Sequence, residues 1–181
     1  MITITVDNVE INVKNTLREI TLGEFEILND EFKKGETIVD KWVNVISYLT
    51  QLPKDRILLF PKAQFIELMD MMFPKEKEEV EKLKSLELDG KIYKAKLEPS
   101  AKDISFIENL LQKKKTNQLT MLIASQFVCE GENNDYESIE KRAKLIKDLP
   151  AYNLIAYAID SVFNFLDFLA ASNNVHHKGN G

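Results

Sequence analysis

One cysteine, Cys129, and two histidines, His176 and His177, are all that the sequence offers of thiol and imidazole side chains. A single thiol excludes an internal disulfide, and a reducing compartment fits that usage. The two histidines sit together in a polar tail, short of the further ligands and rigid surroundings that a metal centre needs. Six glycines leave little material for a phosphate-cradling loop, and neither that motif nor a nucleophile elbow occurs. Basic runs are equally scarce. Lys113-Lys114-Lys115 stands alone in a chain of net charge −5, which argues against general affinity for nucleic acid, because counterion release needs a basic stripe.

A clean apolar run long enough to cross a bilayer is also missing. The nearest candidate, Ala151–Ala171, carries Asn153, Asp160, Asn164 and Asp167, which share one narrow stripe of a helical wheel. Two carboxylates in hydrocarbon would cost roughly 2.5 kcal/mol or more each, so the stretch reads as a core helix with a thin polar edge and no membrane is expected. The opening residues lack the basic region and apolar centre of a secretory signal, and secretion is not expected.

What is present is ordinary globular material, 44% hydrophobic and 29% charged, organised around two hairpin signals. In Ile2–Val13 a two-residue turn at Asp7-Asn8 pairs Val6 with Val9, Ile4 with Ile11 and Ile2 with Val13, putting six β-branched apolar side chains on one face. In Ser85–Leu97 the turn is Asp89-Gly90, where glycine accepts positive φ without strain. Leu86, Leu88, Tyr93 and Ala95 share its inner face, and Lys91 occupies the place that Val9 holds in the first hairpin.

Similar signals follow each hairpin. Thr21-Leu22-Gly23-Glu24 is a capping box that opens a helix to about Lys33, with Leu22, Phe25, Leu28 and Phe32 inward and Gly35 ending it. A helix from Thr37 turns Val39, Trp42, Val43, Ile46 and Leu49 one way and Asp40, Asn44, Ser47 and Gln51 the other. Pro53 stops it, a turn at Asp55–Phe60 follows, and Pro61 starts a third helix carrying Phe65, Leu68, Met69 and Met72. In the second half Asp89 corresponds to Asp7, the cap Ser100–Asp103 to Thr21–Glu24, and Phe106 falls near the place of Phe25. Thr116 corresponds to Thr37, and Leu149-Pro150 to Phe60-Pro61 after an insertion at Cys129–Tyr136.

The predicted class is therefore α+β and mostly helical, with two β-hairpins each followed by about three helices in an internal ββααα duplication about an approximate dyad. Its parts are a first repeat over residues 1–73, a charged connector over 74–84, a second repeat over 85–171 and a flexible tail over 172–181, forming one compact domain overall.

No catalytic, cofactor-binding or metal-binding residues stand out. Cys129 reads as a small core residue after an apolar helix, and Glu130, Glu132 and Asp135 miss the calcium-loop spacing. Partner binding is the remaining role. Tyr157, Ser161 and Phe168 border the polar stripe of the last helix, where aromatic side chains can anchor a partner helix in a groove.

Three segments, Ile20–Asp30 (ITLGEFEILND), Asp40–Thr50 (DKWVNVISYLT) and Lys141–Leu166 (KRAKLIKDLPAYNLIAYAIDSVFNFL), together resemble the tail assembly chaperones of tailed bacteriophages. The resemblance covers most of the chain and carries no catalytic or binding motif. It implies a non-enzymatic helper, without cofactor, that binds a phage structural protein such as the tape measure protein during virion morphogenesis in the host cytoplasm. Two alternatives belong to other classes: a structural subunit retained in the virion at the head–tail joint or tail tip, and a small enzyme or metal-dependent regulator with its site between the repeats.

Overall fold

In a computed structural model the described residues are 2–6, 9–14, 18–72, 83–96, 98–112, 118–158 and 166, and they form two compact units. The class is α+β, as the sequence predicts. The first unit takes residues 1–79 together with 150–152; the second takes 80–149 and 153–181. The Asp7-Asn8 turn, the charged connector up to residue 82, Lys113–Lys115, Thr116, Ser161, Phe168, both histidines and the tail lie outside the described residues.

The first unit opens with an antiparallel pair, β1 (Ile2–Val6) and β2 (Val9–Val13), in the register that the β-branched pattern predicts. Ile4, Val6 and Val13 are buried and Thr3 and Thr5 are exposed, so alternation alone decides which face turns inward. The helices α1 (Leu22–Lys33), α2 (Ile38–Thr50), α3 (Lys54–Leu58) and α4 (Lys62–Met72) follow. The Thr21 hydroxyl accepts from the Glu24 amide at 3.2 Å and the Glu24 carboxylate accepts from the Thr21 amide at 2.8 Å. Thr37 and Asp40 repeat that reciprocal cap on α2.

One core cluster joins Ile4 and Val13 to Val43, Ile46, Ile57 and Leu68; another joins Ile20, Leu28 and Val45, flanked by an edge-to-face pair of Phe32 and Trp42 at 5.3 Å. Side chains buried as fully as Ile46 and Ile57 contribute about 1.5–3 kcal/mol each. Pro150–Tyr152 completes this unit. Thr21 bridges Pro150, the Ala151 amide donates to Ile20 O at 2.9 Å, and the Arg18 guanidinium lies 4.5 Å from the centre of the Tyr152 ring.

Three expectations need correction here. Val39 is exposed and Asn44 is buried, because Asn44 donates its amide to the Glu31 carbonyl at 3.2 Å and so rotates inward between α1 and α2. Gly35 does follow the end of α1, its amide donating to Phe32 O at 3.4 Å, and it also serves a close approach, since a Cβ there would lie 2.4 Å from the Lys41 backbone nitrogen. The Asp55–Phe60 turn is mostly the short helix α3. Pro61 precedes the helix it starts, whereas Pro150 makes the strand-like bridge to Thr21, so Leu149-Pro150 does not play the part of Phe60-Pro61.

The second unit contains β3 (Ser85–Leu88), β4 (Lys91–Ala95), α5 (Ala101–Gln112), α6 (Gln118–Ser125), β5 (Phe127–Val128) and α7 (Tyr136–Ile146). Asp89 and Gly90 both take positive φ, 50° and 72°, the tight-turn geometry that Asp-Gly favours. The element orders agree through the hairpin and two helices and then part. A third strand, β5, pairs with β4 and makes the sheet three-stranded, so Cys129 follows a strand and not a helix. Helix α7 packs on α6 and β3, its buried side chains being Ile139, Arg142, Ala143 and Ile146.

Candidate functional site

The densest polar arrangement of the second unit centres on Arg142, only 2% exposed although charged. The i, i+3, i+4, i+7 spacing of Ile139, Arg142, Ala143 and Ile146 carries the guanidinium inward with the apolar stripe of α7. There Nη1 donates to Ala124 O at 2.8 Å, to Phe127 O and to Asn134 Oδ1 at 3.0 Å, and Nη2 lies 3.8 Å from Glu132 Oε2. The guanidinium carbon sits 4.8 Å from the centre of the Tyr93 ring. Nε is buried and finds no hydrogen-bond partner among the described residues.

Around this centre, Lys91 Nζ donates to Glu132 Oε1 at 2.6 Å and the Tyr93 hydroxyl donates to the same oxygen at 3.2 Å. The Lys91 hydrogen bond holds the Glu132 carboxyl below the usual carboxylate range, against a smaller effect of burial. Burial, then the Glu132 carboxylate, push the Tyr93 hydroxyl above its ordinary value. Burial draws the Arg142 guanidinium down, countered by Tyr93 and Glu132. Asn134 reaches Asp103 Oδ1 at 3.5 Å, and Asp135 caps α7 by accepting from the Ser138 amide at 2.9 Å. Apart from Arg142 Nε, these donors and acceptors are engaged with one another, and their joint effect is to clamp residues 130–135 onto β4 and α7. Among the described residues no group of three or more His, Cys, Asp and Glu side chains is placed to hold a metal ion.

The chain matches no protein-family model, no curated protein and no solved structure.

The first unit offers a different kind of site. A groove of about 190 Å³ runs beside β1, walled by Thr3–Val6 on one side and by Phe60, Gln64, Glu67 and Leu68 on the other. Thr3 and Thr5 come from the exposed face of the strand and Ile4 and Val6 from its buried face, so the strand's edge forms the wall. In a hairpin closed by two residues the flanking pair exchanges hydrogen bonds and every second pair does likewise. With Val6 opposite Val9, that alternation turns the backbone N–H and C=O of Thr3 and Thr5 away from β2. Among the described residues no strand pairs with this edge.

Of the partner residues expected from the sequence, Tyr157 is buried within the second unit. Its ring packs on Phe127 at 4.8 Å between centroids and its hydroxyl donates to Leu83 O. Ser161 and Phe168 lie outside the described residues. Sequence reasoning missed Arg142, although its place in the apolar period of α7 was a readable signal. It also missed the β1 groove, whose signal is a strand with no charge or proline along it.

Proposed function

We propose that this chain is a non-enzymatic assembly chaperone that holds a phage tail component, such as the tape measure protein, during virion morphogenesis in the host cytoplasm. The observation that carries the reading is the edge of β1, unpaired among the described residues, beside a groove lined in part by Ile4, Val6, Phe60 and Leu68, a surface suited to capturing an unassembled chain. The polar centre at Arg142 is consistent with a binding protein, since its groups fasten a loop. No helix among the described residues is long and apolar enough to cross a membrane. The test pairs two measurements in infected cells. Affinity capture of the tagged chain is expected to recover a tail protein, and mass spectrometry of purified virions is expected to find the chain absent. Its presence in virions at stoichiometric amount would replace this reading with that of a structural subunit.

A further inference from the structure

We infer that the groove beside β1 takes an extended, basic segment of a partner protein as an added β-strand, with one apolar side chain seated between Phe60 and Leu68 and a cationic one on Glu67. This rests on the binding role proposed above and names the chemistry of what is bound.

Three observations carry it. First, Thr3 and Thr5 present backbone donors and acceptors along an edge that a further strand can extend, and main-chain pairing of this kind supplies affinity independent of sequence. Second, proteins blunt strand edges with lysine, proline or bulges, and β1 (ITITV) has none of these along its length. Third, the charge of the chain is confined to this unit. Residues 1–79 and 150–152 hold 15 acidic and 10 basic side chains, a formal −5, whereas the second unit holds 14 of each and is neutral.

Glu67 is the charged side chain in the groove wall, and no ion pair engages it among the described residues. Charge therefore chooses the occupant. A second copy would bring two acidic units edge to edge, and an anionic surface or nucleic acid would meet the same repulsion. A basic strand meets attraction.

The test uses the full chain and three fluorescent probes: a peptide alternating valine and lysine, its valine–glutamate counterpart, and the lysine peptide N-methylated at every second amide in each of the two phases. The lysine peptide is expected to bind, the glutamate peptide at least tenfold more weakly, and one methylation phase to lose binding while the other keeps it. Glu67→Lys is expected to weaken the lysine peptide about tenfold, and Thr5→Pro, which removes an outward amide, to weaken it further. Circular dichroism establishes that each variant is folded; if Thr5→Pro is not, the methylated probes and Glu67→Lys decide alone. Amide exchange at Thr3 and Thr5 is expected to be fast in the free chain and slowed by the lysine peptide.

Failure of the lysine peptide to bind, equal binding of the two charge types, indifference to methylation, or slow exchange at Thr3 and Thr5 in the free chain would each overturn the inference. So would a dimer, seen by sedimentation, that Thr5→Pro dissolves. If Glu67→Lys still captures the tail protein at full strength, the groove assignment falls and the chaperone reading stands. A bound peptide without a captured tail protein supports the groove and removes the chaperone reading.

Discussion

Lys14, one residue beyond β2, reaches Glu24 in the capping box of α1 at 2.6 Å; Lys96, one residue beyond β4, reaches Asp103 in the capping box of α5. In each unit the lysine that leaves the hairpin is tied to the carboxylate that starts the next helix. The chemistry is the same and the surroundings differ. Lys14 and Glu24 are each 36% exposed, whereas Lys96 and Asp103 are 13% and 9% exposed. Asp103 also accepts from the Ser100 amide at 2.8 Å and hydroxyl at 2.7 Å, and Asn134 of the clamped loop lies against it. Solvent screens the first pair and leaves it a small net contribution. The second has surrendered its hydration, so losing either partner strands a charge. A local motif fixes geometry; depth fixes what that geometry contributes.

The comparison can be broken by experiment, beginning where the effect is largest. Arg142→Ala removes the cation from the centre of the second unit and leaves the Ala124 and Phe127 carbonyls without their donor. A loss of about 3–5 kcal/mol is expected in urea unfolding followed by far-ultraviolet circular dichroism. A loss near 1 kcal/mol would mean that the clamp is ornamental. Asp103→Asn follows, at about 2–3 kcal/mol, because Lys96 is left with little water. Glu24→Gln is expected to cost only about 0.5 kcal/mol, and 1 M salt should erase most of it. Double-mutant cycles with Lys96→Met and Lys14→Met give the two coupling energies directly; equal values would end the argument from depth.

The gentlest test is acid. Burial lifts both carboxyls, and the hydrogen bonds from lysine and from the capping residue outweigh it, so Glu24 and Asp103 each titrate below the ordinary carboxylate value. Because the folded state holds these protons less tightly than the unfolded chain, their stabilisation is complete above the unfolded value and lost as pH falls through the folded one. The chain should weaken as pH drops below about 4, and the double variant Glu24→Gln, Asp103→Asn should show a shallower decline over that range. An unchanged slope would show that these carboxylates do not set acid stability.

Much of the framework was legible because its signals are short in range. Strand alternation fixed the β1–β2 register, Asp89-Gly90 named its turn, and Thr21–Glu24 and Ser100–Asp103 marked the helix starts. The strand β5 was not legible, being two residues whose extended state depends on β4. Asn44 deceived the helical wheel because its inward turn is decided by a carbonyl on another helix. The site was harder still. Arg142 is buried against the usual habit of its residue type, and what makes that tolerable is the Ala124 and Phe127 carbonyls, Asn134, Glu132 and the Tyr93 ring, which other elements and the loop bring to it. The β1 groove arises where Phe60 and α4 meet a strand more than fifty positions earlier, and no local pattern encodes that meeting.

Pro150–Tyr152 gives the molecule a particular order of birth. The piece that Thr21 and Ile20 await emerges from the ribosome only after residues 80–149 have been made, so the earlier-translated unit is the later one to be finished. A nascent chain stopped at residue 79 would still lack its last contact, and no single cut in the gene yields both units whole.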